Sequence, residues 1–486
     1  MSILVLSFLF FLFIGAGDLP QANTCRKNYI PVVRAEHEEK VKAAVREKKV
    51  VIHCDETTNR KGEAVFIILF RVLPAETLSS NLYVASVSIL QNADSQECCQ
   101  AINSVIMKYE IQYNNIVGIS SDSARYMTKC VRTLKGLISD DLVHVQCWAH
   151  KLDIISKFVP RYLTHLNECV SMTKKAFQNT RKRKHRYLKF LEEKYRYADC
   201  RKAVKLFPMP VMTRWGSWID SALYIQEYLT DLVEYFRGVE DTNEAVKYFQ
   251  DLRNSEQKAV FFEATFVKEH CVSVSELITL LEGSQYPTAH KLIPKLDSLL
   301  AEFDLVRKLL LGQQTTVGLN QLSGERKAKE ESKIKGLAEK WHTKLDKMMK
   351  EDPSGKTFQA ISKLFYLPNV LCAEINVTLI DSVKNIPLLS SIPQNTFLQG
   401  YGVFQRQVKE CVGVAKNDDC VVSVLEGLVE DHREFAVQCL QAVWFPTSNV
   451  DSERGFSAYT KILTDCRTNL RVDNIETMLG LYFGDV

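Results

Sequence analysis

Asp55 and Asp122 are the residues best placed to do chemistry. Each stands where a strand-like run gives way to a polar turn, Asp55 in VIHCDETTNRKGEAV and Asp122 in ISSDSARYM. Carboxylates held on rigid strand ends can bind divalent cations. Two-metal phosphoryl transfer needs a few of them, setting two ions about 4 Å apart so that the nucleophile is activated and the leaving oxygen stabilised. Each aspartate also has a plainer reading, Asp55 as the start of a polar turn and Asp122 as the cap of the helix after Ser123.

Three further groups carry possible chemistry. Cys147 and His150 in CWAHKL have half of a metal-binding spacing, with His144 as a third possible ligand. A structural zinc wants a fourth ligand, and no second Cys-x-x-Cys or His-x-x-x-His element follows, so zinc is not expected. A buried Cys at a strand end and a capping His explain the pair equally well. In TRWGSW, Trp215 could stack an extruded base and Arg214 hold a phosphate, or Trp215 and Trp218 could be core residues, Trp218 being the better core candidate. Arg181, Lys182, Arg183, Lys184, His185 and Arg186 form the densest basic run. Lys189, Lys194, Arg196, Arg201, Lys202 and Lys205 follow, with Tyr187, Tyr195 and Tyr197 interleaved. This is a candidate phosphate-contacting stripe, a nuclear localisation signal or a solvated helix face.

The elements that must position these residues alternate early and turn helical later. Residues 49–72 read as two β-rich runs joined by a Thr-Asn-Arg-Lys-Gly turn, and 82–90 as a third strand. A helical pattern at 97–109, a buried-type strand at 115–120, a helix after Ser123, a strand at 142–146 and a helix at 148–158 complete the run. The order suits an RNase H-like mixed sheet. From about 160 to 435 long amphipathic patterns dominate, such as 290–311 and 324–350, with 312–324 and 351–355 read as loops. Residues 445–483 read as two helices, each with one apolar face: Phe456, Tyr459, Ile462 and Leu463 on the first, Ile475, Met478, Leu479, Tyr482 and Phe483 on the second.

Composition limits the function classes only broadly. The 486 residues, 46% hydrophobic and 25% charged, suit a globular protein of two to four units, and the net charge of +4 does not by itself announce a nucleic-acid partner. The 14 cysteines follow no disulfide-framework spacing, which points to reduced thiols. Residues 3–17 form an apolar run of signal-peptide length with no basic residue ahead of it. A genuine leader or anchor would bring secretory or membrane placement, whereas a mis-joined gene start would leave the chain nuclear.

LPQANTCRKNYIP, VIHCDETTNRKGEAV, ISSDSARYMTKC, CWAHKLDII, TRWGSW and SNVDSERGFSAYTKILTDCRTNL together resemble hAT-superfamily transposases, in particular the CGG triplet repeat-binding protein-like group. The resemblance runs from about residue 19 to the C-terminus. It implies an RNase H-like mixed sheet interrupted by a large all-helical insertion and closed by a C-terminal helical dimerisation segment. The implied divisions are a leader at 1–24, the first part of the catalytic core at 25–160, the insertion at 161–435, and the last catalytic helix with the dimerisation region at 436–486. It adds Glu453, in DSERGFS, to Asp55 and Asp122 as an Asp-Asp-Glu triad binding Mg²⁺ or Mn²⁺. It also places His150 near the scissile DNA and gives Trp215 and Arg214 a role on the cleaved end.

The implied partners are DNA and further copies of the chain, as a homodimer or higher oligomer, rather than a small molecule. Two function classes follow: a transposase that cleaves DNA and transfers strands, or a domesticated relic that binds DNA or chromatin and dimerises without cutting. No zinc-binding BED finger pattern precedes Lys49. That departure implies an N-terminally truncated member and puts recognition of specific DNA ends in doubt.

Overall fold

The computed structural model describes residues 21–75, 78–196, 202–211, 216–283, 286–414, 420–463 and 470–483. The elements used below, in chain order, begin with helix α1 (Ile30–Val45) and strands β1 (Val50–Thr58), β2 (Ala64–Val72) and β3 (Asn81–Leu90). Then come α2 (Ser95–Lys108), β4 (Ile116–Ser121), α3 (Arg125–Ile138), β5 (Val143–Gln146) and α4 (Trp148–Ser156). The helical part contributes α5 (Thr164–Phe177), α6 (Arg181–Tyr195), α7 (Ser217–Arg237), α8 (Asn254–His270), α9 (Gln313–Asn320) and α10 (Gly324–Lys350). Near the C-terminus are α11 (Val450–Ile462) and α12 (Val472–Phe483).

The chain divides into two compact units. The first comprises residues 1–150, 281–294 and 351–486, and the second 151–280 and 295–350. The helices of 351–435, expected within the insertion, therefore cluster with the sheet. One reason is visible at Gln441, whose Nε2 donates to the carbonyl of Pro74 at 2.8 Å.

In the first unit the five strands form one mixed sheet in the order β3-β2-β1-β4-β5. β1, β2 and β3 are antiparallel neighbours, and β1, β4 and β5 run parallel. The β1–β2 turn is a hairpin, as the sequence suggests. Asn59 Oδ1 accepts from the backbone amides of Lys61 and Glu63, and Gly62 takes the left-handed conformation at φ 79° that favours glycine. Strand side chains alternate between faces, so β2 feeds two cores. Phe66, Ile68 and Phe70 pack with Val41 and Val45 of α1, Ile102 and Val105 of α2, and Val131 and Leu134 of α3. Val65, Ile67 and Leu69 pack with Phe456, Tyr459 and Ile462 of α11, and with Ile475, Leu479 and Phe483 of α12. The result is helices on both faces of a sheet, each buried aliphatic side chain contributing about 1.5–3 kcal/mol.

The apolar faces of the two C-terminal helices are thus spent largely on their own sheet, with Tyr482 left 45% exposed. α12 also guards an edge. β3 is an outer strand with a register shift opposite Ile68/Leu69, and there the Val87 amide donates to Glu476 Oε2 at 2.9 Å. Such edges otherwise invite pairing with another chain.

The second unit is helical. The stretch 312–324, expected as a loop, contains α9. Glu269 explains the difference by capping the new helix from α8: its carboxylate accepts from the amides of Gln314 and Thr315 and from Thr315 Oγ1 at 3.1, 2.9 and 2.6 Å. A Cβ at Gly312 would lie 2.3 Å from Glu269 Oε2, so a side chain there would displace the capping carboxylate. Among the described residues no helix is long and apolar enough to cross a membrane, and the 3–17 apolar run lies outside them.

Candidate metal centre

The register of β1 and β4 carries two aspartates to one place. The strands are parallel neighbours with His53 opposite Ser120. Two residues further along each chain come Asp55 and Asp122, side by side at the C-terminal edge of the sheet and on one face of it. Cys54, the residue before Asp55 on β1, points to the opposite core. Neither carboxylate is fully buried. Asp55 Oδ1 accepts from the Glu56 amide at 2.9 Å, and Asp122 Oδ1 from the Ala124 amide at 3.1 Å. Each of these bonds fixes one oxygen.

Glu453 reaches the same edge from the far end of the sequence. It sits in the first turn of α11, which packs on β1 and β2. A Cβ at Gly455 would meet Ile67 at 3.5 Å, and Ile67 is the β2 partner of Asp55. The segment before α11 is fastened to the strand ends by hydrogen bonds. Asn449 Nδ2 donates to the Cys54 carbonyl at 3.0 Å across 395 residues of chain, and Ser120 Oγ donates to the Ser448 carbonyl at 3.2 Å. The Trp148 amide donates to the Thr447 carbonyl at 3.2 Å. Ser452 Oγ then donates to Asn449 Oδ1 at 3.2 Å, tying the helix start to this clamp.

Asp55 feels the charges of Asp122 and Glu453, and Glu453 that of Asp122, although the oxygens of the three do not all lie within 4.8 Å of one another. Burial, then the charges of Glu453 and Asp122, push the Asp55 carboxyl well above its ordinary range. Burial raises Asp122 too, against the pull of the Ala124 amide and His150. Glu453 is raised by burial and by Asp122 and lowered by His150. It is the most exposed of the three, so water screens it and its shift matters least. His150 lies near enough to act on both Asp122 and Glu453. Clustered acids whose ionised forms repel are what a divalent cation would relieve.

Beside them lies a compensated set of charges that the sequence did not single out. Arg71 and Asp451, 6% and 5% exposed, form an ion pair, and Arg71 Nη1 donates to Ser80 Oγ at 2.7 Å. Arg454 Nη1 adds a bond to Asp451 Oδ1 at 3.1 Å. Burial alone would raise Asp451, but Arg71, His53 and Arg454 hold it below the usual carboxylate range. Burial lowers His53 to about 4, so this histidine is neutral at physiological pH. Asp451 is therefore the neutralised acid of the DSERGFS segment and Glu453 the available one.

The other expected residues divide. Cys147 is buried, with its thiol pushed up to about 12 by burial, which suits a packed side chain better than a ligand. His144 Nε2 pairs with Ser121 Oγ at 3.0 Å. Arg214 and Trp215 lie outside the described residues. Trp218 is half-buried, its Nε1 donating to Asn167 Oδ1 at 3.0 Å.

In the second unit the basic run forms α6. Arg181, Lys182, His185 and Arg186 are exposed, while Arg183 pairs with Asp241 and Lys184 is half-buried. Tyr187 is buried and bonded to Tyr224, so it is no stacking platform. Lys194 and Lys202 are bound by Asp231, and Lys205 by Glu227. The open basic surface is thus the first turns of α6.

Among the described residues, the His, Cys, Asp and Glu ligand atoms that all lie within 4.8 Å of one another belong to His165, Glu263 and Glu330, in the second unit. Lys333 already bridges these two glutamates at 3.1 and 2.8 Å, supplying the cation itself. No family model and no curated protein matches the chain.

Proposed function

We propose that the protein is a hAT-type, transposase-derived DNA-processing protein with an RNase H-like core, and that Asp55, Asp122 and Glu453 form its divalent-metal centre. The observation that carries this reading is the convergence of the three acids on one sheet edge from β1, β4 and α11. The order of three antiparallel strands, then helix, strand, helix, strand, helix supports the same core. Mg²⁺ or Mn²⁺ held by these carboxylates would supply the charge that activates water, and later a 3′-hydroxyl, toward a phosphodiester, and that stabilises the leaving oxygen.

The donor set fits hard cations, being all oxygen, and among the described residues no Lys or Arg figures in the shifts of the three acids. The chain's residues hold that set rigid. The amides of Glu56 and Ala124 orient two carboxylates, and the Asn449 clamp fixes the third. To His150, which acts on Asp122 and Glu453, we assign a hydrogen bond to a phosphate oxygen of the DNA.

Arg181, Lys182 and Lys184, with Arg183 behind them, supply a sequence-independent phosphate contact, and Arg214 and Trp215 are assigned the DNA end. DNA and further copies of this chain are the proposed partners, with the nucleus as the compartment. A second copy would meet the outer side of α12, where Tyr482 is exposed, since its inner face is engaged.

The test is nicking of supercoiled plasmid by the purified chain in Mg²⁺ or Mn²⁺. Nicking is expected from the parent protein, with a loss of at least 100-fold in Asp122→Asn. Folded protein that binds DNA and never nicks it would leave the domesticated, non-catalytic DNA-binding reading in its place.

A further inference from the structure

Four cysteines gather on the sheet face opposite α11: Cys54 on β1, Cys98 and Cys99 on α2, and Cys130 on α3. We propose that Cys99 and Cys130 are an oxidation site, a dithiol that a peroxide closes to a disulfide between α2 and α3.

The geometry selects this pair. Cys99 Sγ lies 3.2 Å from Cys130 Sγ and 3.4 Å from the Cys130 carbonyl. A disulfide requires about 2.05 Å, so closure needs a movement of about 1 Å, within reach of side-chain rotation. Cys54 Sγ is directed elsewhere, donating to the Ser120 carbonyl at 3.7 Å. Cys98, next to Cys99 on the helix, is fully buried in the core.

Access divides the labour. Cys99 is half-buried and reaches solvent, whereas Cys130 is completely enclosed. Burial pushes the Cys54 and Cys130 thiols up, and Cys98 to about 12, which keeps them unreactive toward oxidant from solution. The Cys99 sulfur attacks hydrogen peroxide, giving a sulfenic acid and one water. The Cys130 thiol then attacks that sulfur, the S–S bond forms, and the sulfenic oxygen leaves as a second water. Two thiols have lost two electrons and two protons, and one peroxide has become two waters.

The bond would pin α3, which begins just after Asp122 and whose Tyr126 hydroxyl donates to Glu56 Oε2 at 3.3 Å, to its neighbour α2. Nothing in the inference requires the metal centre to be catalytic.

The full chain, reduced and then treated with a slight excess of hydrogen peroxide, is alkylated under denaturing conditions and digested with trypsin. Cys130 then leaves in a short peptide between Lys129 and Arg132. Mass spectrometry is expected to find that peptide joined to the one carrying Cys98 and Cys99, with the link reversed by dithiothreitol. It should be lost in Cys99→Ser and kept in Cys98→Ser. Cys130 still alkylated after peroxide, Cys99 found as sulfinic acid without a link, or a link that persists in Cys99→Ser would each overturn the proposal. In the parent chain, fragmentation of the linked peptide must place the bond on Cys99 rather than Cys98, and a bond placed on Cys98 would likewise overturn the proposal.

Discussion

Asp55 is where the account is most exposed at the residue scale, because its carboxyl is raised by burial and by the charges of Glu453 and Asp122. The folded pKa exceeds the unfolded one, so its contribution to stability is fully present below the unfolded value and is lost as pH rises through the folded value. In EDTA, the stability of the parent chain relative to Asp55→Asn should therefore fall as pH rises above the ordinary carboxylate range. Urea unfolding at a series of pH values measures that difference, and a difference constant with pH would contradict it.

Asn449 makes the complementary case. Its side chain is buried and bonded to the Cys54 carbonyl, so Asn449→Ala should cost about 1–3 kcal/mol in urea unfolding. Nicking should fall as well, because Glu453 loses its anchor.

Those two residues also show how much of the site was legible beforehand. Asp55 and Asp122 could be picked out because a strand end followed by a polar turn is a local pattern. Glu453 came from resemblance, since a Glu in the first turn of a helix is ordinary in itself. Asn449 was missed. Its position ahead of a helix is a local signal, but its partner lies 395 residues away, and only the folded chain supplies it. The Arg71–Asp451 pair escaped for the same reason.

Elements tell a similar story in a different currency of distance. The hairpin at Asn59–Gly62 and the alternation along β2 were readable because both are set by neighbours in sequence. Helix α9 was not, because Thr315, Thr316, Val317 and Gly318 are poor helix formers and their cap, Glu269, belongs to α8. Lys333 on α10 holds together two glutamates that are 0% exposed. Burial raises Glu263 despite Lys333 and the Leu166 amide, a sign of how little charge this spot tolerates. Lys333→Met should cost about 3–5 kcal/mol in urea unfolding, and Lys333→Met with Glu263→Gln markedly less. Equal losses in the two proteins would show that the buried charges are not coupled.

At the scale of the whole molecule, an α/β unit with one five-stranded mixed sheet and a separate helical unit were foreseeable from the change of pattern near residue 160. The return of residues 281–294 and 351–435 to the sheet-bearing unit was not, since amphipathic helices look alike whichever core they join. That return matters to function: Arg454 Nη2 donates to the Glu282 carbonyl at 2.5 Å, and Ser448 Oγ to the Leu281 carbonyl at 2.7 Å, so the segment around Leu281 helps to seat the helix that bears Glu453.

The central claim is that three acids drawn from both ends of the chain make one divalent-metal centre. Calorimetric titration of the metal-free protein with Mn²⁺ tests it most directly. The account expects saturable binding that weakens at least tenfold in each of Asp55→Asn, Asp122→Asn and Glu453→Gln, with the folded state retained. Binding unchanged in all three variants, or no saturable binding by the folded parent chain, would contradict it.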